Sequence, residues 1–370
     1  QLHRRQRQMC IRDRYRIDPQ TGKNNYISVQ AEDELAAVGM AIGANWNGAR
    51  GFTATSGPGI SLMSEFLGLA YFAEVPLVVF NIQRGGPSTG MPTRTQQSDI
   101  LSCAYASHGD TKHILLFPED PQECFEFSAE AFNLAERLQT PVFVISDLDI
   151  GMNDWVTDKF EWDDEKKYDR GKVLNAEDLD KMDNFGRYLD IDDDGICYRT
   201  YPGTHPEKGA FFTRGTSHDE YARYTENGDI NEQTLTRLVK KFRTASELVP
   251  NPIIDLSDKQ GSSGVIFYGS TSAAMYEAKD ILNKNNIEVD LMRIRSFPFN
   301  LDVWEFIENH DLIYVIEQNR DSQMRTLIMA EGGISAEKLR SLVWFNGDPI
   351  QAKFIAKKIY ERESQQALIT

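Results

Sequence analysis

Residues 51–82 read GFTATSGPGISLMSEFLGLAYFAEVPLVVFNI. Gly51–Ala54 is a short strand-like run, Thr55-Ser56-Gly57-Pro58-Gly59 is turn chemistry, and Ile60–Phe72 has helical spacing. Pro76–Ile82 is apolar without alternation, as expected of a parallel strand buried on both faces. Strand, helix and strand in close succession predict a βαβ unit, and hence an α/β fold.

The same alternation extends outward. Upstream, Ile27–Val29 is strand-like and Glu32–Trp46 predicts a helix with apolar positions at Leu35, Val38, Ala41 and Ile42. Downstream, a polar loop at 83–99 leads into helix 100–107, strand 114–117, helix 121–138 and strand 141–146. Pro121 suits a first helical turn and Pro141 the first residue of a strand. A second block over 264–360 predicts strands at Val265–Tyr268, Glu288–Ile294, Leu312–Glu317 and Leu342–Phe345, with helices at 272–285, 301–309, 322–331 and 349–362. The expectation is two parallel-sheet α/β domains, 17–150 and 256–370, with an acidic insert at 151–255. Asp154 to Asp194 holds 15 acidic and 7 basic residues, so the insert reads as an extended segment draped over something, or a linker with local structure.

Across the 370 residues, 40 Lys and Arg face 56 Asp and Glu, a formal charge of -16. That balance argues against nucleic acid as a partner, because phosphate neutralisation needs a dominant basic face. Apolar runs such as Pro76–Phe80 are far short of a membrane span. Residues 1–16, QLHRRQRQMCIRDRYR, carry six Arg against one Asp, leaving -21 (-16 less +5) on the rest. This segment resembles translated adaptor sequence and is expected to be an artefact or a truncation scar. The four cysteines (Cys10, Cys103, Cys124, Cys197) show no CxxC or CxxH spacing, so no disulfide framework, zinc site or iron–sulfur cluster is expected in this chain. A reduced, cytoplasmic protein is expected.

Three stretches bear on chemistry. Ser56-Gly57-Pro58-Gly59 lies between strand and helix, where backbone N–H groups can face a ligand at a sheet's carboxyl edge; a plain tight turn has the same composition. Glu34, third of three acids opening a helix, suits the helix dipole, yet it adjoins an apolar face that would partly desolvate its carboxylate. The loop QRGGPSTGMPTRTQQSD (83–99) follows a buried strand and supplies Arg84 and Arg94 with Thr93 and other hydroxyl and amide donors. That set suits a carboxylate or phosphate, and structureless loops longer than about 12–15 residues are usually functional or disordered. His108 is a candidate acid or base, though a lone His is more often a packed or capping residue. Asp190-Ile191-Asp192-Asp193-Asp194-Gly195 imitates the start of an EF-hand loop but has Tyr201 where the bidentate Glu belongs, so a solvated acidic turn is expected.

VQAEDELAAVGMAIGA (29–44), ATSGPGISLMSEF (54–66) and QRGGPSTGMPTRTQQSD together resemble the alpha subunit of 2-oxoacid:ferredoxin oxidoreductases, the 2-oxoglutarate type most of all. The similarity resumes through VIFYGSTSAAMYEA, VDLMRIRSFPF and YVIEQNRDSQM. It implies a thiamine-diphosphate enzyme, with a pyrimidine-binding domain at 17–150 and a transketolase C-terminal-like domain at 256–370. Glu34 matches the glutamate that hydrogen-bonds N1′ of the aminopyrimidine, where a carboxyl group favours the imino tautomer. Ser56, Gly57 and Pro58 would line the cofactor, while Arg84 would approach both cofactor and substrate. Thr93, Arg94 and His108 would complete the substrate side, and no metal ligand is expected in the chain. The implied reaction is oxidative decarboxylation of a 2-oxoacid to acyl-coenzyme A, with electrons passed to ferredoxin.

The family's Tyr-Pro-Ile-Thr-Pro motif, which supplies a substrate-contacting threonine, has no counterpart here. Its Gly-Asp-Gly motif is also missing, Gly228-Asp229-Ile230 being the nearest approach. The resemblance therefore puts the diphosphate site, Mg²⁺ and the 4Fe–4S cluster on a separate beta subunit, in a heterodimer or dimer of heterodimers. Pyruvate or a branched-chain 2-oxoacid stays open as substrate, as does a non-catalytic α/β assembly module.

Overall fold

The structure is a computed structural model describing residues 20–23, 26–163, 165, 168–258 and 263–366; the basic segment 1–16, with Cys10, lies outside the described residues. Val38, Ala41 and Ile42 share one face of helix α1 (Glu34–Trp46), and their burial draws that helix onto strand β1 (Phe52–Thr55). Asp33 caps α1 by accepting a hydrogen bond from Ala36 N at 2.7 Å. Leu35, expected on the apolar face, is instead exposed, because its position on the helix points away from the sheet.

Helices α2 (Gly57–Leu62) and α3 (Ser64–Phe72) return the chain to β2 (Leu77–Gln83). Next come α4 (Ile100–Ala104), β3 (Ile114–Leu116), α5 (Pro121–Leu138) and β4 (Pro141–Asp147). Pro121 opens α5 as anticipated, with Asp120 capping through Glu123 N at 2.8 Å. These four strands pair in parallel in the order β1-β2-β4-β3, so their carboxyl ends share one edge. The strand expected at Ile27–Val29 does not form: Ile27 is 88% exposed and the sheet ends at β1.

After α6 (Leu148–Met152) the insert carries a short helix, α7 (Ala176–Asp180), and a long one, α8 (Gly228–Ser246). Leu238 and Ala245 of α8 are buried, Ala245 in a core shared with Val78, Leu134 and Val142. The insert is therefore packed onto the first sheet. The Asp190–Gly195 turn is held by lysines: Lys172 Nζ lies 2.6 Å from Asp192 and 2.9 Å from Asp194, and Asp190 accepts from Gly195 N at 2.9 Å. Ammonium groups thus offset the charge of the turn's carboxylates.

The second sheet is built from β5 (Ile253–Asp255), β6 (Ser263–Tyr268), β7 (Val289–Ile294), β9 (Ile313–Glu317) and β10 (Leu339–Val343), in the order β10-β9-β6-β7-β5. It is parallel except for β5, which runs antiparallel to β7. The intervening β8 (Ser296–Phe297) leaves this sheet and adds an antiparallel edge to β3 of the first, pairing Phe297 with Leu115. Helices α9 (Thr271–Lys284), α10 (Leu301–Glu308), α11 (Gln323–Gly332) and α12 (Ala352–Gln366) complete the block. Ile266, Met292 and Val315 share one core with Leu77, Val79 and Phe143 of the first sheet. Val265, Phe267 and Leu291 face the other way, into a second core with Met275 of α9 and Ile355 of α12. No described helix is long and apolar enough to cross a membrane.

Candidate functional site

The carboxyl edge of the first sheet gathers most of the residues singled out above. Ser56 follows β1 in extended conformation, and its carbonyl accepts from Gly59 N at 2.9 Å and Ile60 N at 3.2 Å. Its hydroxyl makes no capping bond. Close packing explains the glycines. A Cβ on Gly59 would lie 1.9 Å from Thr55 Oγ1 and 2.8 Å from Glu34 Cγ. A Cβ on Gly57 would lie 2.9 Å from Asp99 Oδ1. The half-buried Glu34 is thus laid against the β1–α2 turn, with Asp99 on the turn's other side.

Asp99 carries no signal of its own in the sequence beyond membership of the loop motif, yet it is a fixed part of this edge. Its N–H donates to Gln83 Oε1 at 2.9 Å, and Asn81 Nδ2 donates to its Oδ2 at 3.1 Å. Burial pushes the Asp99 carboxyl up, while the Asn81 hydrogen bond and the Arg84 guanidinium oppose that shift. The available clue was Asn81, a polar residue inside the apolar strand β2 and wholly buried. Arg84 is the first residue beyond β2. It is half-buried, and its Nε is buried with no hydrogen-bond partner among the described residues. The guanidinium thus keeps a donor free close to the Asp99 carboxylate.

Thr93 and Arg94 return toward Arg84 because Gly85 N donates to Arg94 O at 2.8 Å. Both are exposed, and the Arg94 guanidinium pairs at 3.2 Å with Asp348, which follows β10 of the second sheet. His108 is not brought to this edge. It lies on the segment entering β3, at the opposite end of the strands, exposed and 3.7 Å from Glu65. Glu34, Ser56, Gly57, Pro58 and Arg84 therefore share one edge, with Thr93 and Arg94 on its adjoining loop. Among the described residues no group of three or more His, Cys, Asp or Glu side chains is arranged to hold a metal, and Cys103, Cys124 and Cys197 are free thiols.

The fold is that of an α/β protein whose first sheet ends in a glycine turn, a carboxylate packed against that turn and an arginine whose Nε has no partner among the described residues. Residues 16–244 match the family model described as pyruvate flavodoxin/ferredoxin oxidoreductase, thiamine diphosphate-binding. The chain belongs to that family. It is 34% identical to the alpha subunit of 2-oxoacid:ferredoxin oxidoreductase 2 of Aeropyrum pernix, over 92% of this chain and 53% of that one. It is 35% identical to the 2-oxoglutarate synthase subunit KorA of Methanocaldococcus jannaschii, over 74% of this chain and 71% of that one. Among solved structures it is similar to 2-oxoglutarate:ferredoxin oxidoreductase from Magnetococcus marinus with 2-oxoglutarate, coenzyme A and succinyl-CoA bound. The TM-score there is 0.80 at 29% identity, covering 90% of this chain and 56% of that one. The chain spans about half the length of the first of these relatives. The family match runs through the insert as well as the first sheet.

Proposed function

We propose that this chain acts as the alpha subunit of a thiamine-diphosphate-dependent 2-oxoacid:ferredoxin oxidoreductase, with 2-oxoglutarate as its substrate. The observation that carries the reading is the close packing of Glu34 on the β1–α2 turn, with Asp99 on the turn's other side, near the Arg84 guanidinium, whose Nε has no partner among the described residues. The pyrimidine-binding role falls to residues 17–150 and the transketolase C-terminal-like role to 256–370. Thiamine diphosphate, when bound, supplies the electron sink that a 2-oxoacid needs in order to lose carbon dioxide.

The chain's own residues have separable tasks. Glu34 holds a proton against the ring nitrogen of the aminopyrimidine. Ser56, Gly57 and Pro58 offer a close-approaching backbone that side chains would block. Arg84 binds the carboxylate of the oxoacid through a forked pair of donors, and Thr93 closes on it from the loop. Arg94, engaged with Asp348, holds that loop. His108 is left out of the proposed site because of its distance from this edge.

A beta subunit would supply the diphosphate site, Mg²⁺ and the 4Fe–4S cluster, with coenzyme A and ferredoxin as further partners and the cytoplasm as location. Support comes from the names of the relatives, which are subunits of such oxidoreductases. The test is Glu34→Ala in the complex reconstituted with that subunit. Ferredoxin reduction by 2-oxoglutarate should fall by at least about a hundredfold, the scale of a lost acid–base group. Near-normal turnover would sink the assignment.

A further inference from the structure

The loop that carries Arg84 and Thr93 is closed on itself by three backbone bonds: Gly85 N to Arg94 O, Met91 N to Gly85 O and Arg94 N to Met91 O, at 2.8, 2.8 and 3.1 Å. Its returning arm is held mostly by the second domain. Thr95 N donates to Gly347 O at 3.2 Å and Gln97 N to Gln318 O at 2.8 Å. Asn319 Nδ2 donates to Gln97 O at 3.0 Å, and Gln323 Nε2 to Ser98 O at 2.6 Å.

The centre of this attachment is the side chain of Gln97, 1% exposed. Its Nε2 lies within 3.3–3.4 Å of Asp147 Oδ2, Tyr268 O and Ser270 Oγ. Its Oε1 accepts from Thr271 Oγ1 and from Gln318 N, each at 3.3 Å. Asp147 ends β4 of the first sheet and Tyr268 ends β6 of the second, so one amide is wedged where the two carboxyl edges meet. Each of these bonds is long, but the group is buried away from water. Ser270 Oγ also donates to Asp147, and Gln318 Nε2 donates to both Ser270 Oγ at 3.0 Å and Thr271 Oγ1 at 3.2 Å.

We infer that Gln97 is a positioning residue through which the second domain sets the Arg84–Thr93 loop, and so governs affinity for the oxoacid without touching it. The inference rests on the function proposed above. Geometry supports it: the loop has a self-closed tip and a returning arm tied to the second domain, so loosening the tie moves the tip as a unit. A group that binds ground state and transition state alike loses affinity when its support is displaced, and kcat is left unchanged.

The test uses the full complex with its partner subunit and two variants, Gln97→Leu and Thr271→Val. The second removes one hydroxyl from the network, in a residue remote from the loop tip. Both should raise KM for 2-oxoglutarate, Gln97→Leu by about tenfold, with kcat within about twofold. Amide hydrogen exchange over 84–96 should quicken in the same variants. A merely structural role would lower the melting temperature and leave KM and loop exchange unchanged, and that result would overturn the inference. Should Gln97→Leu fail to fold, Thr271→Val decides. Glu34→Ala in the same preparation separates the two ideas. Loss of turnover there with unaltered KM in the loop variants sinks the positioning role alone. A wild-type complex inactive on 2-oxoacids sinks the function, and loop exchange then still decides whether Gln97 holds the loop.

Discussion

Two glycines of the first sheet's surroundings make opposite demands. At Gly59 a methyl group would overlap Thr55 Oγ1 and press on Glu34 Cγ. At Gly43, in the exposed face of α1, a Cβ would meet nothing within 4 Å. Gly59→Ala should displace Glu34, cost roughly 1–3 kcal/mol of stability as an overpacked site, and weaken thiamine diphosphate binding in the complex, as isothermal titration would read. Gly43→Ala should stabilise by about 0.5–1 kcal/mol, because glycine in a helix interior carries an entropic cost. Equal melting temperatures for the two variants would show that the turn has room to relax. Glu34 and the SGPG turn were legible from sequence because each sits at a start signal, a helix opening or a strand-to-helix turn. Asp99 was not: its importance comes from Asn81, Gln83 and Gly57 converging on it in space.

The long helix α8 was the element least visible in the sequence, where 151–255 read as an extended insert. Its buried side chains include a lysine, Lys241, which contributes nothing to an apolar stripe. That lysine is buried because Glu74, over 160 residues earlier, receives it at 2.8 Å together with Arg237. Such a pairing has no local signature. Arg187 Nη2 and Tyr188 Oη donate to the carbonyls of Glu74 and Ala73, so the insert docks on the turn before β2. Burial alone would push the Glu74 carboxyl up, but Arg237 and Lys241 overcome it and hold the group well below the carboxylate range. Its stabilisation is therefore complete above the ordinary Glu pKa and lost as pH falls below it. Glu74→Gln should leave two buried cations uncompensated and cost about 3–5 kcal/mol. Thermal unfolding at neutral pH measures this, and a variant melting within a degree of wild type would mean that the cations find other partners.

The two sheets are joined by apolar packing and by polar contacts of two kinds. At one contact charges are matched: Arg293 meets Glu123 through two bonds of 2.7 and 2.8 Å, with Arg295 adding a third at 2.9 Å. At the other, around Gln97, Asp147 and Glu317 are buried among neutral donors. The alternation of strands and helices made both sheets legible. Their junction was not, because the crossing strand Ser296–Phe297 is only two residues long and its partner, β3, lies about 180 residues earlier in the chain.

The unmatched contact has a pH consequence of opposite sign to that of Glu74. Burial pushes the Asp147 carboxyl up, against the pull of bonds from Ser270, Asp149 N and Gln97. Folded chains then hold a proton that unfolded chains release above about pH 3.9, the ordinary Asp value. Stability therefore declines as pH rises from that value through the raised one, and the penalty is complete above it. Asp147→Asn removes the ionisable group while its side-chain oxygen can still cap α6, where Asp147 now accepts from Asp149 N at 2.9 Å. Melting temperature against pH should accordingly fall less steeply across that window in the variant than in wild type. Parallel curves would mean that Asp147 is already ionised in the folded protein, held so by its hydrogen bonds alone.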